Sequence, residues 1–327
     1  MSRRGWLLFA AMGVIWGIPY LLIKVAVEDV SGPVVVLART AVGAVVLLPV
    51  ALRDRAGLAQ VRRHWKPIVA FACIEIVGPW ILLSDAERRL SSSLTGLLIA
   101  ATPVVAVLLN RLAGGAEPVT RVRWLGLAVG TGGVTVLAVP GISHVGVWPV
   151  AEVLICAVCY TIAPMIAARK LGDVPPLPMT TACVSLAALV YVGPAIATWP
   201  HAMPSGRVLG ALVGLGLVCT ATAFVLFFAL IREVGSARSV VITYVNPAVA
   251  VAAGAVILGE PLTWTIGAGF ALVLAGSVLA TSTRGQAASA EPVVVAPDPA
   301  VALAPAPAAA GGSGARGWVL PRRRPAR

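Results

Sequence analysis

Charge is scarce in this sequence. Asp, Glu, Lys and Arg make up 12% of its 327 residues, against about 25% in a typical soluble domain, while 59% belong to the set AVILMFWYC. Five cysteines, an odd number scattered through apolar stretches, offer neither a disulfide framework nor a metal-site spacing. Cys156 and Cys159 form a lone pair inside an apolar run and read as packing. The three histidines, His64, His144 and His201, all fall between apolar runs, so there is no helical HExxH. No Ser/His/Asp set and no phosphate loop can be assembled, and the sequence implies no cofactor and no metal. These absences, with an apolar excess that repeats along nearly the whole length, exclude a disordered chain, a collagen and a disulfide scaffold. What remains is an all-α polytopic integral membrane protein.

A bilayer core of roughly 30 Å needs about 20 apolar residues per helix. Dividing the apolar runs at Pro, Gly and charge clusters predicts ten transmembrane spans. They are 6–27, 33–52, 66–85, 94–113, 122–140, 148–168, 177–197, 208–231, 237–258 and 263–282. The first follows Arg3 and Arg4 but is too long for a signal peptide and lacks a clear A-x-A site, so it reads as a retained helix.

The formal net charge of +12 invites a nucleic-acid reading, which the placement of Lys and Arg removes. With the N-terminus inside, fourteen loop Lys and Arg face the cytoplasm and three (Arg88, Arg89 and Arg207) face the opposite side. This positive-inside bias sets both termini in the cytoplasm. The stretch 284–327, rich in Ala, Pro and Gly and ending in PRRRPAR, cannot bury a core and is expected to be a disordered cytoplasmic tail.

The spans repeat. Pro19, Lys24 and Pro33 recur as Pro164, Arg169 and Pro178; Ala86, Glu117, Gly126 and Gly133 recur as Ala229, Glu260, Gly269 and Gly276; and Pro103 recurs as Pro247. The displacement is 143 to 145 residues throughout. Each unit holds five spans, an odd number, so the halves, 1–145 and 146–283, have opposite orientations. Inverted repeats of this kind build secondary transporters with a substrate site near the midplane.

Several stretches carry a resemblance. They are Trp16-Gly17 followed by Lys24, Arg39, the run from Ala86 to Ser93, Pro103 before Glu117-Pro118, Arg169-Lys170, Ala229-Leu230 and Asn246-Pro247. Gly259-Glu260-Pro261-Leu262-Thr263 leading into Gly269 and Gly276 completes the series. On these residues, over about 6–282, the chain resembles the EamA family of the drug/metabolite transporter superfamily. The resemblance implies a ten-helix inner-membrane carrier, often an exporter of amino acids or other small metabolites, working by alternating access. The chain departs from the family pattern in Gly115-Ala116-Glu117, which has an extra residue, and in Cys159-Tyr160, where a Trp is common.

Charges inside a membrane cost about 2.5–3.5 kcal/mol on insertion scales and are functional candidates by default. Arg39 lies roughly 9 Å inside the second span, where its fork suits a substrate carboxylate or an ion pair with Glu28, Asp29 or Glu75. Glu75 lies close to the midplane. Burial disfavours the charged carboxylate, so Glu75 is a candidate for proton coupling as well as substrate contact, with a salt bridge to Arg39 as the rival. Lys24 sits where it can snorkel. Glu117 and Glu260 precede helices whose positive ends a carboxylate complements.

Trp16, Tyr20, Tyr160 and Tyr244 are candidates for lining a cavity, pairing an apolar ring with a polar group. Asn246 belongs with them, and Pro19, Pro103 and Pro247 are expected helix breaks and gating points. The expected function is export of an amino acid or other small polar metabolite across the cytoplasmic membrane, with the lipid bilayer and a small-molecule substrate as partners and a homodimer open. Import of a nutrient or nucleotide-related metabolite is the alternative, because an inverted repeat specifies alternating access and not direction. An integral-membrane transferase is the more distant one. It would need clustered carboxylates or histidines at a membrane surface.

Overall fold

A computed structural model of the chain describes residues 2–112, 121–235 and 239–281. The expected tail 284–327 and the loop holding Glu117 lie outside these residues. Among the described residues all regular structure is helical. Ten segments are long and apolar enough to cross a membrane: Arg3–Ala26, Gly32–Ala51, Trp65–Ala86, Ser92–Leu109, Arg121–Pro140, Val147–Lys170, Pro176–Ala197, Gly206–Val234, Val241–Leu258 and Trp264–Thr281. These are spans 1 to 10, each within a few residues of the stretch expected from composition. Their outward faces carry Val45, Leu189 and Val256, large exposed apolar side chains of the kind a bilayer covers.

The helix pairs obey a twofold rule. Spans 5 and 10, 2 and 7, and 4 and 9 pack on each other, as do spans 1 with 8 and 3 with 6. Exchanging spans 1–5 with 6–10 maps the first three pairs onto themselves and converts the last two into one another. The molecule is thus two inverted five-helix repeats.

Lipid gives helices no hydrophobic reason to associate, so close packing through small residues has to supply it. Spans 5 and 10 use that device along their length. A β-carbon on Gly276 would collide with the Gly130 backbone, one on Gly126 with the backbone at Leu279 and Ala280, and one on Gly133 with Val273. Span 9 reaches span 1 in the same way, because a β-carbon on Gly17 would meet Val249 and the Asn246 carbonyl.

Several spans are not continuous α-helices. Span 1 breaks between Arg3–Ile15 and Pro19–Ala26, and span 4 between Ser92–Ile99 and Thr102–Leu112. Span 9 opens with a 3-10 turn, Val240–Tyr244, before Asn246–Leu258. Pro19, Pro103 and Pro247 stand at or next to the first residue of the helix after each break, where a missing N–H costs least. Spans 3 and 8 instead widen into π-helix, at Cys73–Val77 and Gly214–Thr222. These two widened turns fall at corresponding places in the two repeats.

Two ends of the bundle can be distinguished. The near face carries Ser2, whose hydroxyl donates to Glu233 at 2.5 Å, and Tyr244, whose hydroxyl meets Thr281 at 3.1 Å. It also carries the linking helix Arg55–Arg63, capped by Asp54 and exposing Arg55, Arg62 and Arg63. The far face carries the loops after spans 1, 3, 7 and 9.

The glycine seam yields a first prediction. Gly276→Val is expected to destabilise the folded protein by about 1–3 kcal/mol, read as a lower thermal midpoint in detergent, whereas Gly267→Val, where the added carbon meets nothing within 4 Å, leaves the midpoint unchanged.

Candidate functional site

Arg39 is 8% exposed, seven residues inside the far end of span 2. Its Nε donates to Thr220 Oγ1 of span 8 at 3.0 Å, and its guanidinium carbon lies 3.6 Å from the centre of the Trp80 ring of span 3. The π-helix of span 8 makes the first contact possible. Thr220 donates its own proton five residues back, to Leu215 O at 2.9 Å, and so turns an oxygen lone pair to the arginine. A ring face attracts a desolvated cation by about 2 kcal/mol. The charge is therefore held by a hydroxyl and an aromatic face.

The ion pairs expected for Arg39 do not form. Among the described residues Glu28 is bridged instead to Arg207 at 3.8 Å, and Asp29 accepts from the Ser205 N–H at 2.9 Å. That backbone hydrogen bond pulls the Asp29 carboxyl below its usual value. Glu75 lies in the widened turn of span 3, near Tyr160, Cys159 and Cys183 rather than Arg39, and one of its oxygens is buried without a hydrogen-bond partner. Arg39 and Glu75 thus stand as two separate polar groups that share Tyr160 as an electrostatic neighbour. Tyr20 joins them from span 1, within the fields of both Arg39 and Tyr160.

The remaining candidates divide. Trp16 stacks on span 8, its ring 4.6 Å from Phe227 and 6.1 Å, edge-on, from Phe224. Asn246 is a backbone clamp: with its amide nitrogen turned to the carbonyls, it donates to Ile242 O at 3.0 Å and Gly13 O at 3.2 Å. Tyr244 sits with Thr281 at the near face, away from the Arg39 group. Pro103 adjoins the break in span 4, whose freed Ala100 carbonyl is reached by Ser277 of span 10 at 3.4 Å. Tyr191 does the same for span 3, donating to Val77 O at 2.7 Å.

Other residues went unflagged in the sequence. Trp80 and Thr220 hold Arg39, yet each looks like an ordinary member of an apolar run. At the far face Glu260 caps the start of span 4, not the helix that follows it in the chain as expected. It accepts from the Ser92 N–H and hydroxyl at 2.7 and 2.9 Å and from the Ser93 N–H at 3.0 Å, and the Ser93 hydroxyl donates to it as well. Gly254 is needed there, since a β-carbon would strike Ser93 and Glu260. Lys24 reaches the far-face turn, where it donates to the carbonyls of Glu87 and Leu90 at 2.6 and 2.8 Å. A surface hollow of about 550 Å³ among the far-face loops, bordered by Asp29, Arg88 and His201, does not include Arg39 or Glu75.

The cap can be tested. Glu260→Ala leaves four donors at a buried helix start without an acceptor and is expected to cost about 2 kcal/mol, seen as a fall in thermal midpoint that Glu260→Asp partly restores.

Comparison with known proteins agrees with this architecture. The model of the EamA-like transporter family matches residues 3–139 and 148–282, once per repeat. An uncharacterized transporter of Archaeoglobus fulgidus is 22% identical over 288 residues, covering 86% of this chain and all of the relative. The uncharacterized inner membrane transporter YedA of Escherichia coli K12 is 24% identical, covering 77% of this chain and 82% of its own. The uncharacterized transporter YvbV of Bacillus subtilis is 23% identical, over 88% and 95%. A solved crystal structure with TM-score 0.61 and 19% identity covers 86% of this chain and 98% of its own, and shares the fold. With both repeats matched and ten membrane-crossing helices in place, the chain is a multi-pass membrane protein that belongs to the EamA-like transporter family.

Proposed function

We propose that this transporter exports amino acids or other small polar metabolites across the cytoplasmic membrane by alternating access. The observation that carries the reading is Arg39, a buried guanidinium with no carboxylate partner among the described residues, set against Trp80, Thr220, Tyr20 and Tyr160. Arg presents five N–H donors, and among the described residues only Nε makes a hydrogen bond. A substrate carboxylate satisfies the free fork in bidentate fashion, and the tyrosine rings cover the apolar part of the same molecule. The positive-inside bias supports a cytoplasmic near face, with both chain termini on that side.

Glu75 is the coupling group in this reading. Its unpartnered oxygen in a widened turn suits a carboxyl that gains and loses a proton as the bundle rearranges. π-helical turns recur at functional sites.

Flux of a labelled amino-acid panel into proteoliposomes, with and without an inward acid gradient, tests the proposal. Gradient-dependent accumulation of one compound is expected. Arg39→Gln is expected to reduce that flux about 10- to 100-fold, the loss of a charge-assisted pair worth about 1.5–3 kcal/mol. Glu75→Gln is expected to abolish the gradient's effect while substrate binding persists; unchanged pH-driven uptake in that variant rules out coupling at Glu75.

A further inference from the structure

Glu87 lies in the turn between spans 3 and 4 and is 0% exposed. Both oxygens of its carboxyl group are buried without a hydrogen-bond partner among the described residues. Buried polar groups ordinarily have a partner, and a buried charge is paired or gives up its charge. Among the described residues, the charged groups around it make their hydrogen bonds elsewhere. Lys24 spends two of its three donors on the backbone carbonyls of Glu87 and Leu90, gripping the turn rather than the carboxyl group.

The other charged and titratable groups acting on Glu87 or beside it come from every neighbouring element. Tyr20 faces it from span 1, Arg39 from span 2 and Glu260 from the loop before span 10. Glu260 is occupied by Ser92 and Ser93, and Arg39 makes its hydrogen bond to Thr220 and its ring contact to Trp80 without bonding Glu87. On its own turn, Arg88 reaches away to Val30 O at 3.3 Å. Asp85, Arg89 and Glu152 of span 6 form a separate group with one another.

We propose that Glu87 is a proton-binding site that fills when the far face of the transporter closes and empties when it opens. In this reading the buried arrangement of Glu87 is the closed one, and a neutral carboxyl group is the form that a buried, unpartnered position tolerates. Opening the far face parts the turn at 87–91 from spans 1 and 9, admits water to the carboxyl group and lets it ionise, with Lys24 free to turn from the carbonyls to the carboxylate. The site is distinct from Glu75, which lies three turns deeper in span 3. It rests on the alternating-access reading only in requiring that the far face open.

The sign follows from burial, which holds the Glu87 carboxyl well above the ordinary carboxylate range in the closed state. The stabilisation that the proton gives to closure is complete below the ordinary range. It is lost as pH rises through the closed-state value. Between the two values the ratio of open to closed molecules rises about tenfold per pH unit for one linked proton.

Hydrogen–deuterium exchange of the 87–95 stretch tests this in the full-length protein in lipid nanodiscs, from about pH 5.5 to about pH 8.5, a range set by the reach of a raised carboxyl. After correction for the intrinsic rate, the wild type is expected to exchange faster as pH rises, by about tenfold per unit within the sensitive range. Glu87→Gln, isosteric and uncharged, is expected to stay protected throughout, while Glu152→Gln keeps the wild-type pH dependence. Exchange independent of pH in the wild type overturns the proposal, as does pH dependence that survives in Glu87→Gln or vanishes in Glu152→Gln. No substrate enters this measurement, so an absence of flux in proteoliposomes counts against the transport reading and leaves the gate result standing, and the converse holds equally.

Discussion

Inside a bilayer no water is available to a backbone group, so every interruption of a helix has to be repaired by another part of the protein. The structure follows from how these repairs are made. Ser277 reaches the Ala100 carbonyl at the break in span 4, Tyr191 the Val77 carbonyl beside the widened turn of span 3, and Asn246 the carbonyls of Ile242 and Gly13. Thr220 repairs its own turn in span 8. Each repair crosses or abuts an interface between helices, so a break that would weaken a lone helix ties neighbouring helices together instead.

The same repairs place the polar residues of the candidate site. Thr220 can serve Arg39 because the widened turn in span 8 directs its proton back to Leu215. Glu75 stands in the counterpart turn of span 3. The two repeats share backbone geometry at this point and differ in chemistry: an acid in the first, Val218 to Thr220 in the second. The polar groups around Arg39 and Glu75 come from both repeats, Tyr20 from the first and Tyr160 and Thr220 from the second.

The two far-face carboxylates differ in how they are held. Glu260 is saturated by four donors, while Glu87, which Lys24 leaves unpaired, has none among the described residues. Of these two acids, the one satisfied by four donors serves as a structural cap, and the buried one without a partner is sensitive to its protonation state.

Much of the fold was legible from the chain alone. Span number, span limits, the duplication and its inversion all follow from local composition and from counting, because crossing a membrane is a demand that each helix meets separately. Arg39 and Glu75 were legible as candidates for a similar reason, since an isolated charge in an apolar run stands out. Their surroundings were not. Arg39 meets a threonine 181 residues away, and Glu260 caps a helix 168 residues back in the chain. Spans that are apolar on every side carry no periodicity to say which face meets which neighbour. For that reason only the tertiary structure decided that Arg39 has no carboxylate partner among the described residues, that Tyr244 and Asn246 stand apart from it, and that Glu87 is buried.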